Sequence, residues 1–198
     1  MPNMKNIILG IAGKKRSGKD TIGNYIINNY GYIRYAFGDP VKEVCKILFG
    51  FNNEQLHGEK KELVSQYGIS PREAFQKIGT EFGRVTIHDI LPSLNIEQGN
   101  LWIEIFNRKC NEIRENEKGK TNIIITDVRF ENEVEAIKKQ GGKIIFIESI
   151  YADINDTHES ENSNLKYDFL INNNGTKKEL YSKIDNIILD LNKEDWCM

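Results

Sequence analysis

Seven residues near the start of the chain, Gly13-Lys14-Lys15-Arg16-Ser17-Gly18-Lys19, place two glycines and a closing lysine at G-x-x-x-x-G-K spacing. That spacing suits polyphosphate binding. Glycines let the backbone curl until successive N–H groups point into one concavity, and the N-terminus of a following helix adds partial positive charge. On this reading the loop holds β-phosphate oxygens, Lys19 bridges the β- and γ-phosphates, and Arg16 adds charge. Most such loops continue with Ser or Thr on a magnesium ion, whereas here the next residue is Asp20. A carboxylate oxygen also suits a hard cation, directly or through water, and Thr21 can supply the hydroxyl instead. Asp20 can equally be a simple acidic residue favoured in a helix's first turn.

Asp127 and Arg129 form the second chemically suggestive group. They follow the apolar run Ile123-Ile124-Ile125-Thr126, and parallel α/β sheets collect ligands at the carboxyl ends of their strands. Asp127, expected just past the strand, is the natural second acidic group of a metal site. Arg129 would then stabilise charge on a transferring phosphoryl group. The plainer alternative is an internal Asp–Arg ion pair in a tight turn; proximity to the expected phosphate loop favours function.

The elements that must position these residues are marked along the chain. Lys5 to Ile11 reads as a strand buried on both faces, and Lys19 to Tyr30 as a helix closed by Gly31. Ile33 to Phe37 makes a second strand. From Asp39 to about Lys118 the pattern is helical with no strong strand signal. Ser70-Pro71-Arg72-Glu73 opens one of these helices with an N-cap serine, an N1 proline and a glutamate at the third position. Phe75, Ile78, Phe82 and Val85 are its expected buried stripe, with Gln76, Thr80, Gly83 and Arg84 on another face. A further helix is expected from Leu101 to Glu115. Alternation returns with a strand at 123–126, a helix from Glu131 to Gln140, and a strand from Lys143 to Ile147. A polar loop over 149–165, a strand from Asp168 to Ile171, and a helix capped by Thr176 and Glu179 follow. Leu180, Ile184, Ile187 and Leu191 should bury that last helix. Strands alternating with helices imply a parallel sheet.

Bulk properties bound the alternatives. With 198 residues, 39% hydrophobic and 28% charged, the chain reads as one globular domain. A formal net charge of −2 gives no general attraction to nucleic acid, so an anion site must rest on local clusters such as Lys14, Lys15, Arg16 and Lys19. Cys45, Cys110 and Cys197 lack the spacing of a zinc site or disulfide framework, which points to a reducing compartment. No stretch approaches the roughly 20 apolar residues of a membrane span. A cytoplasmic protein with no membrane or nucleic-acid partner is expected, and a homodimer is left open.

The order of these features resembles the deoxynucleoside monophosphate kinases of bacteriophages. The resemblance rests on Lys15-Arg16-Ser17-Gly18-Lys19-Asp20-Thr21, unusual aspartate included, and on Phe37-Gly38-Asp39-Pro40-Val41-Lys42. It continues through Gln76-Lys77-Ile78-Gly79-Thr80-Glu81, Trp102, Asp127-Val128-Arg129 and Thr157-His158-Glu159-Ser160-Glu161. It implies a P-loop NTPase fold, a three-layer α/β/α sandwich with a central parallel sheet. The core would take residues 1–38 and 119–198, a helical acceptor-binding insertion about 39–118, and a lid about 149–165. The implied reaction is ATP-dependent, Mg²⁺-assisted phosphoryl transfer to a deoxynucleoside 5′-monophosphate, with Asp20 and Asp127 at the metal. Lys42, Arg84 and Trp102, with Asp127 and Arg129, would face the acceptor, Trp102 stacking near its base or sugar, and His158 and Glu161 would belong to the lid. On physical grounds alone Trp102 reads as a core residue, Lys42 as a solvated helix residue, and His158 and Glu161 as exposed loop residues. By analogy with P-loop kinases, Asn172 to Gly175 would lie near adenine. One departure is that no arginine follows Arg129, whereas adenylate kinase-type lids carry several; Arg16, Arg84, Arg129 and Lys166 must compensate charge. A P-loop kinase of another metabolite, such as dephospho-coenzyme A or phosphomevalonate, is the nearest competing reading. A nucleotide-binding regulator without turnover is the competitor from a different class.

Overall fold

The apolar run that follows Asn6 forms strand β1 (Ile8–Gly13), the middle strand of a five-stranded parallel sheet. The computed structural model describes residues 6–117, 121–153 and 165–193. Cys197, His158 and Glu161, with most of the expected lid, lie outside those residues. After β1 come helix α1 (Lys19–Tyr30) and strand β2 (Ile33–Tyr35), then α2 (Gly38–Phe49), α3 (Asn53–Leu56) and α4 (Pro71–Gln76). A π-helix (Lys77–Thr86), α5 (Ile87–Ile90) and α6 (Leu101–Asn116) complete a stretch without strands. Alternation resumes with β3 (Ile123–Val128), α7 (Glu131–Lys139), β4 (Lys143–Glu148), β5 (Phe169–Asn172) and α8 (Lys177–Lys193). The strand order is β2-β3-β1-β4-β5, so both neighbours of β1 arrive late in the sequence. The chain divides into two compact units, Met1–Ala36 with Cys110–Met198, and Phe37–Lys109.

The first unit holds the sheet. Leu9, Ile11, Ile124, Ile145 and Ile147 on one face pack with Ile22 and Ile26 of α1 and with Leu180, Ile184, Ile188 and Leu191 of α8. Burying each such side chain stabilises the fold by about 1.5–3 kcal/mol. On the opposite face α7 approaches closely. A Cβ on Gly10 would lie 2.6 Å from Ile144 Cδ1 and 3.0 Å from Ile137 of α7, so the strand carries no side chain there. Strands covered on both faces cannot show polar alternation, which is why β1, β3 and β4 read as continuous apolar runs. Helix ends follow local chemistry: Gly31 closes α1 at φ 69° with its N–H on Ile27 O. Thr176 and Glu179 cap α8 reciprocally, at 3.3 and 2.9 Å. In α8, Ile188 rather than Ile187 completes the fully buried stripe.

The second unit departs from simple helical periodicity. Ser70 caps α4 as expected, its Oγ accepting from Glu73 N at 3.1 Å. Beyond Gln76 the helix widens into a π-helix, whose i→i+5 bonds take more residues per turn. An expected stripe at α-helical spacing therefore rotates off the buried face. Phe82 is 39% and Val85 50% exposed, contrary to the expectation that both are buried. Gly83 takes the inward position against the indole of Trp102.

Candidate active site

The residues from Gly13 to Lys19 connect the end of β1 to the start of α1, where a parallel sheet presents its carboxyl edge. The connection is tightly curled. Ser17 N donates to Lys14 O at 3.1 Å, and Arg16 and Gly18 adopt positive φ of 64° and 106°. Lys19 Nζ donates to Gly13 O at 2.5 Å and Lys14 O at 2.6 Å, so its ammonium lies against the loop's own carbonyls. Ser17 is fully buried, its hydroxyl without a hydrogen-bond partner. A Cβ on Gly13 would fall 2.5 Å from Ile147 O and 2.9 Å from Ser17 Oγ, which leaves room for glycine alone. Lys14, Lys15 and Thr21 are partly buried, and Arg16 and Asp20 exposed. Positive charge, left-handed turns and a helix N-terminus thus coincide, the combination that holds phosphate oxygens.

Strand pairing brings the segment carrying Asp127 beside the end of β1, where the loop begins. The register between β1 and β3 runs Gly10↔Ile125 and then Ala12↔Val128, so β3 spends one more residue than β1 over this stretch. A bulge of this kind re-aims side chains at the end of a strand. β3 extends through Val128, so Asp127 lies within the strand rather than just past it. Arg129 begins the turn into α7. Its N–H donates to Glu133 Oε2 at 2.8 Å, and Phe130 N donates to the same oxygen at 3.1 Å. Glu133 is only 1% exposed, and its carboxylate anchors the turn carrying Arg129. The sequence reading missed Glu133; its place three residues into a helix was the available signal. Among the described residues no group of three His, Cys, Asp or Glu side chains converges as a metal cage.

A cavity of about 350 Å³ opens beside the loop, lined among others by Lys14, Phe146, Ile150, Ala152, Asn172 and Asn174. Its volume falls within the range of small-molecule sites. Two further bonds hold the loop from this side: Asp153 N donates to Lys15 O at 2.9 Å, and Asn173 Nδ2 to Ser17 O at 2.9 Å.

The residues expected at an acceptor lie in the second unit, apart from Asp127 and Arg129. Lys42 Nζ is 3.3 Å from His57 Nδ1, and Arg84 Nη1 donates to Gly99 O at 3.3 Å. Trp102 is 4% exposed, with its indole N–H donating to Gly79 O at 2.7 Å. That bond satisfies the ring's one polar group inside the unit.

Comparison with known proteins identifies the family and the fold. A deoxynucleotide monophosphate kinase family profile matches residues 7–69 and 65–184. A protein of Acanthamoeba polyphaga mimivirus described as a candidate deoxynucleotide monophosphate kinase is 35% identical, over 90% of this chain and 94% of that one. The deoxynucleotide monophosphate kinase of Enterobacteria phage T4 is 22% identical, over 91% of this chain and 98% of its own. Among solved structures, shikimate kinase from Aquifex aeolicus superposes with a TM-score of 0.51 at 13% identity, covering 93% of this chain and 98% of that one, which shows the P-loop kinase fold. With a parallel sheet carrying a curled, lysine-closed loop, and a family profile covering most of its length, the chain belongs to the deoxynucleotide monophosphate kinase family.

Proposed function

We propose that this chain transfers the γ-phosphoryl group of ATP to a deoxynucleoside 5′-monophosphate, giving the diphosphate and ADP. The observation that carries the reading is the loop at the carboxyl edge of the sheet, with Lys19 against its carbonyls and Asp127 and Arg129 on the adjoining strand and turn. Loop amides and Lys19 hold the β- and γ-phosphates, and the ammonium exchanges loop carbonyls for phosphate oxygens when ATP enters. The cavity beside Asn172 and Asn174 takes the nucleoside of ATP.

The acceptor is itself a phosphate, largely dianionic at neutral pH because its second pKa is about 6, and it needs no general base. Repulsion between two polyanions is the barrier. Arg129 and Arg16 lower it by neutralisation, and Lys42 and Arg84 of the second unit contribute to holding the acceptor. Trp102 shapes that segment from within, through its bond to Gly79. Asp20 and Asp127 suit Mg²⁺, an ion held by one or two carboxylates with waters and substrate phosphates completing its shell. When bound, the ion would neutralise charge on the β- and γ-oxygens.

A panel of acceptors incubated with ATP and Mg²⁺, read by ADP release and product separation, tests the reading. Turnover with one or more of dAMP, dCMP, dGMP and dTMP is expected. Phosphorylation of dephospho-coenzyme A or phosphomevalonate with none of the deoxynucleotides would overturn the acceptor assignment. ATP binding without acceptor-dependent ADP release would overturn the kinase itself.

A further inference from the structure

The turn between β5 and α8 is tied to the phosphate loop through one side chain, Asn173. Its Nδ2 donates to Ser17 O at 2.9 Å. Its backbone N–H donates to Glu148 O at 2.8 Å, and its carbonyl accepts from Ser149 Oγ at 2.9 Å, so the residue is anchored on the β4 side as well. Gly18 leaves the space that the amide fills, since a Cβ there would fall 2.4 Å from Asn173 Nδ2. Its two neighbours, Asn172 at the end of β5 and Asn174 in the turn, line the 350 Å³ cavity together with Lys14.

A trans peptide is planar, with its C=O and N–H on opposite sides. Holding the Ser17 carbonyl therefore sets the direction of the Gly18 N–H, one of the amides that a curled phosphate loop directs at its ligand. We propose that Asn173 is a positioning residue of the phosphate loop, fixing the Ser17–Gly18 peptide and making the loop's shape depend on the turn that borders the nucleoside cavity. The inference rests on the proposed binding of ATP at Gly13–Lys19. It adds a residue that acts on polyphosphate through the backbone and without touching it.

Titration calorimetry with two probes, ATP and inorganic tripolyphosphate, separates loop geometry from nucleoside contact. Asn173→Ala should weaken both probes by the same factor, about three- to tenfold for one net hydrogen bond. It should raise KM for ATP and leave KM for the deoxynucleotide unchanged. Asn174→Ala should weaken ATP alone. Asn173→Asp keeps the shape, removes the donor and brings a carboxylate near polyphosphate; its larger loss for both probes supplies the same test if the alanine variant does not fold. Unchanged tripolyphosphate binding in the Asn173 variants, or a loss confined to ATP, would overturn the proposal. Wild-type tripolyphosphate affinity in Lys19→Ala would instead sink the underlying phosphate-loop reading, so the two failures are distinguishable.

Discussion

Two glycines four residues apart in the π-helix should respond in opposite directions when replaced by alanine. Propensity alone favours alanine over glycine by about 0.5–1 kcal/mol in a helical segment. At Gly83 sterics oppose that gain, because the new Cβ would lie 2.5 Å from Trp102 Cζ2 and 2.6 Å from both Cε2 and Nε1. The indole must then move within a packed unit, an overpacking cost of about 1–3 kcal/mol. Its movement also strains the 2.7 Å bond to Gly79 O, and an unmade buried hydrogen bond costs about 1–3 kcal/mol. The steric and polar terms outweigh propensity, and Gly83→Ala should destabilise by about 3 kcal/mol. For a chain of this size that is a fall in Tm of about 6–12 °C. Gly79 differs: its nearest neighbours to a new Cβ are Val41 Cγ1 and Cγ2 at 3.5 Å, ordinary van der Waals contact. Gly79→Ala should therefore gain about 0.5–1 kcal/mol from propensity alone. Urea unfolding followed by circular dichroism measures both. A Gly83→Ala protein as stable as the parent, or a Gly79→Ala protein equally damaged, would refute the placement of the indole against this helix.

Two other outcomes follow from the site and the core. Arg129→Ala should lower kcat by about 10³-fold or more if the guanidinium stabilises the transferring group; a change confined to KM in steady-state assays would contradict that role. Burial pushes the Cys45 thiol up from 9.0 to about 11 and the Cys110 thiol to about 12. Both folded-state values lie above the unfolded one, so their contribution is complete below pH 9 and is lost as pH rises towards 11 for Cys45 and towards 12 for Cys110. Unfolding free energy should fall above pH 9 by up to about 1.4 kcal/mol per pH unit per thiol, and urea midpoints that stay level from pH 7 to 10.5 would exclude this.

Legibility from the sequence tracked how local each signal was. The boundaries of α1 came directly from Lys19 and Gly31, because a loop glycine and a left-handed cap act within a few residues. The Thr176–Glu179 cap and the Ser70 cap are local in the same sense and stand where expected. The π-helix was not legible: Phe75, Ile78, Phe82 and Val85 match α-helical spacing, and the Gly79 carbonyl inside it is taken by Trp102, some twenty residues away, a partner no local pattern announces. Asp127 was misplaced by a step because a bulge depends on the partner strand's register.

Composition and motif spacing determined that this chain builds a parallel α/β sheet, opens it with a curled, lysine-closed loop after the first strand, and follows with a long helical stretch. Such features arise from backbone sterics, capping and apolar runs, all written in contiguous residues. Tertiary structure decided which distant residues are gathered at this end of the sheet: Asp127 through pairing of β1 with β3, Asn173 bonded to the loop from the β5–α8 turn, and Glu133 anchoring the Arg129 turn. They lie between about 110 and 160 residues from Gly13–Lys19. Their approach is set by strand order and register, quantities that belong to the whole sheet and to no single segment of the chain.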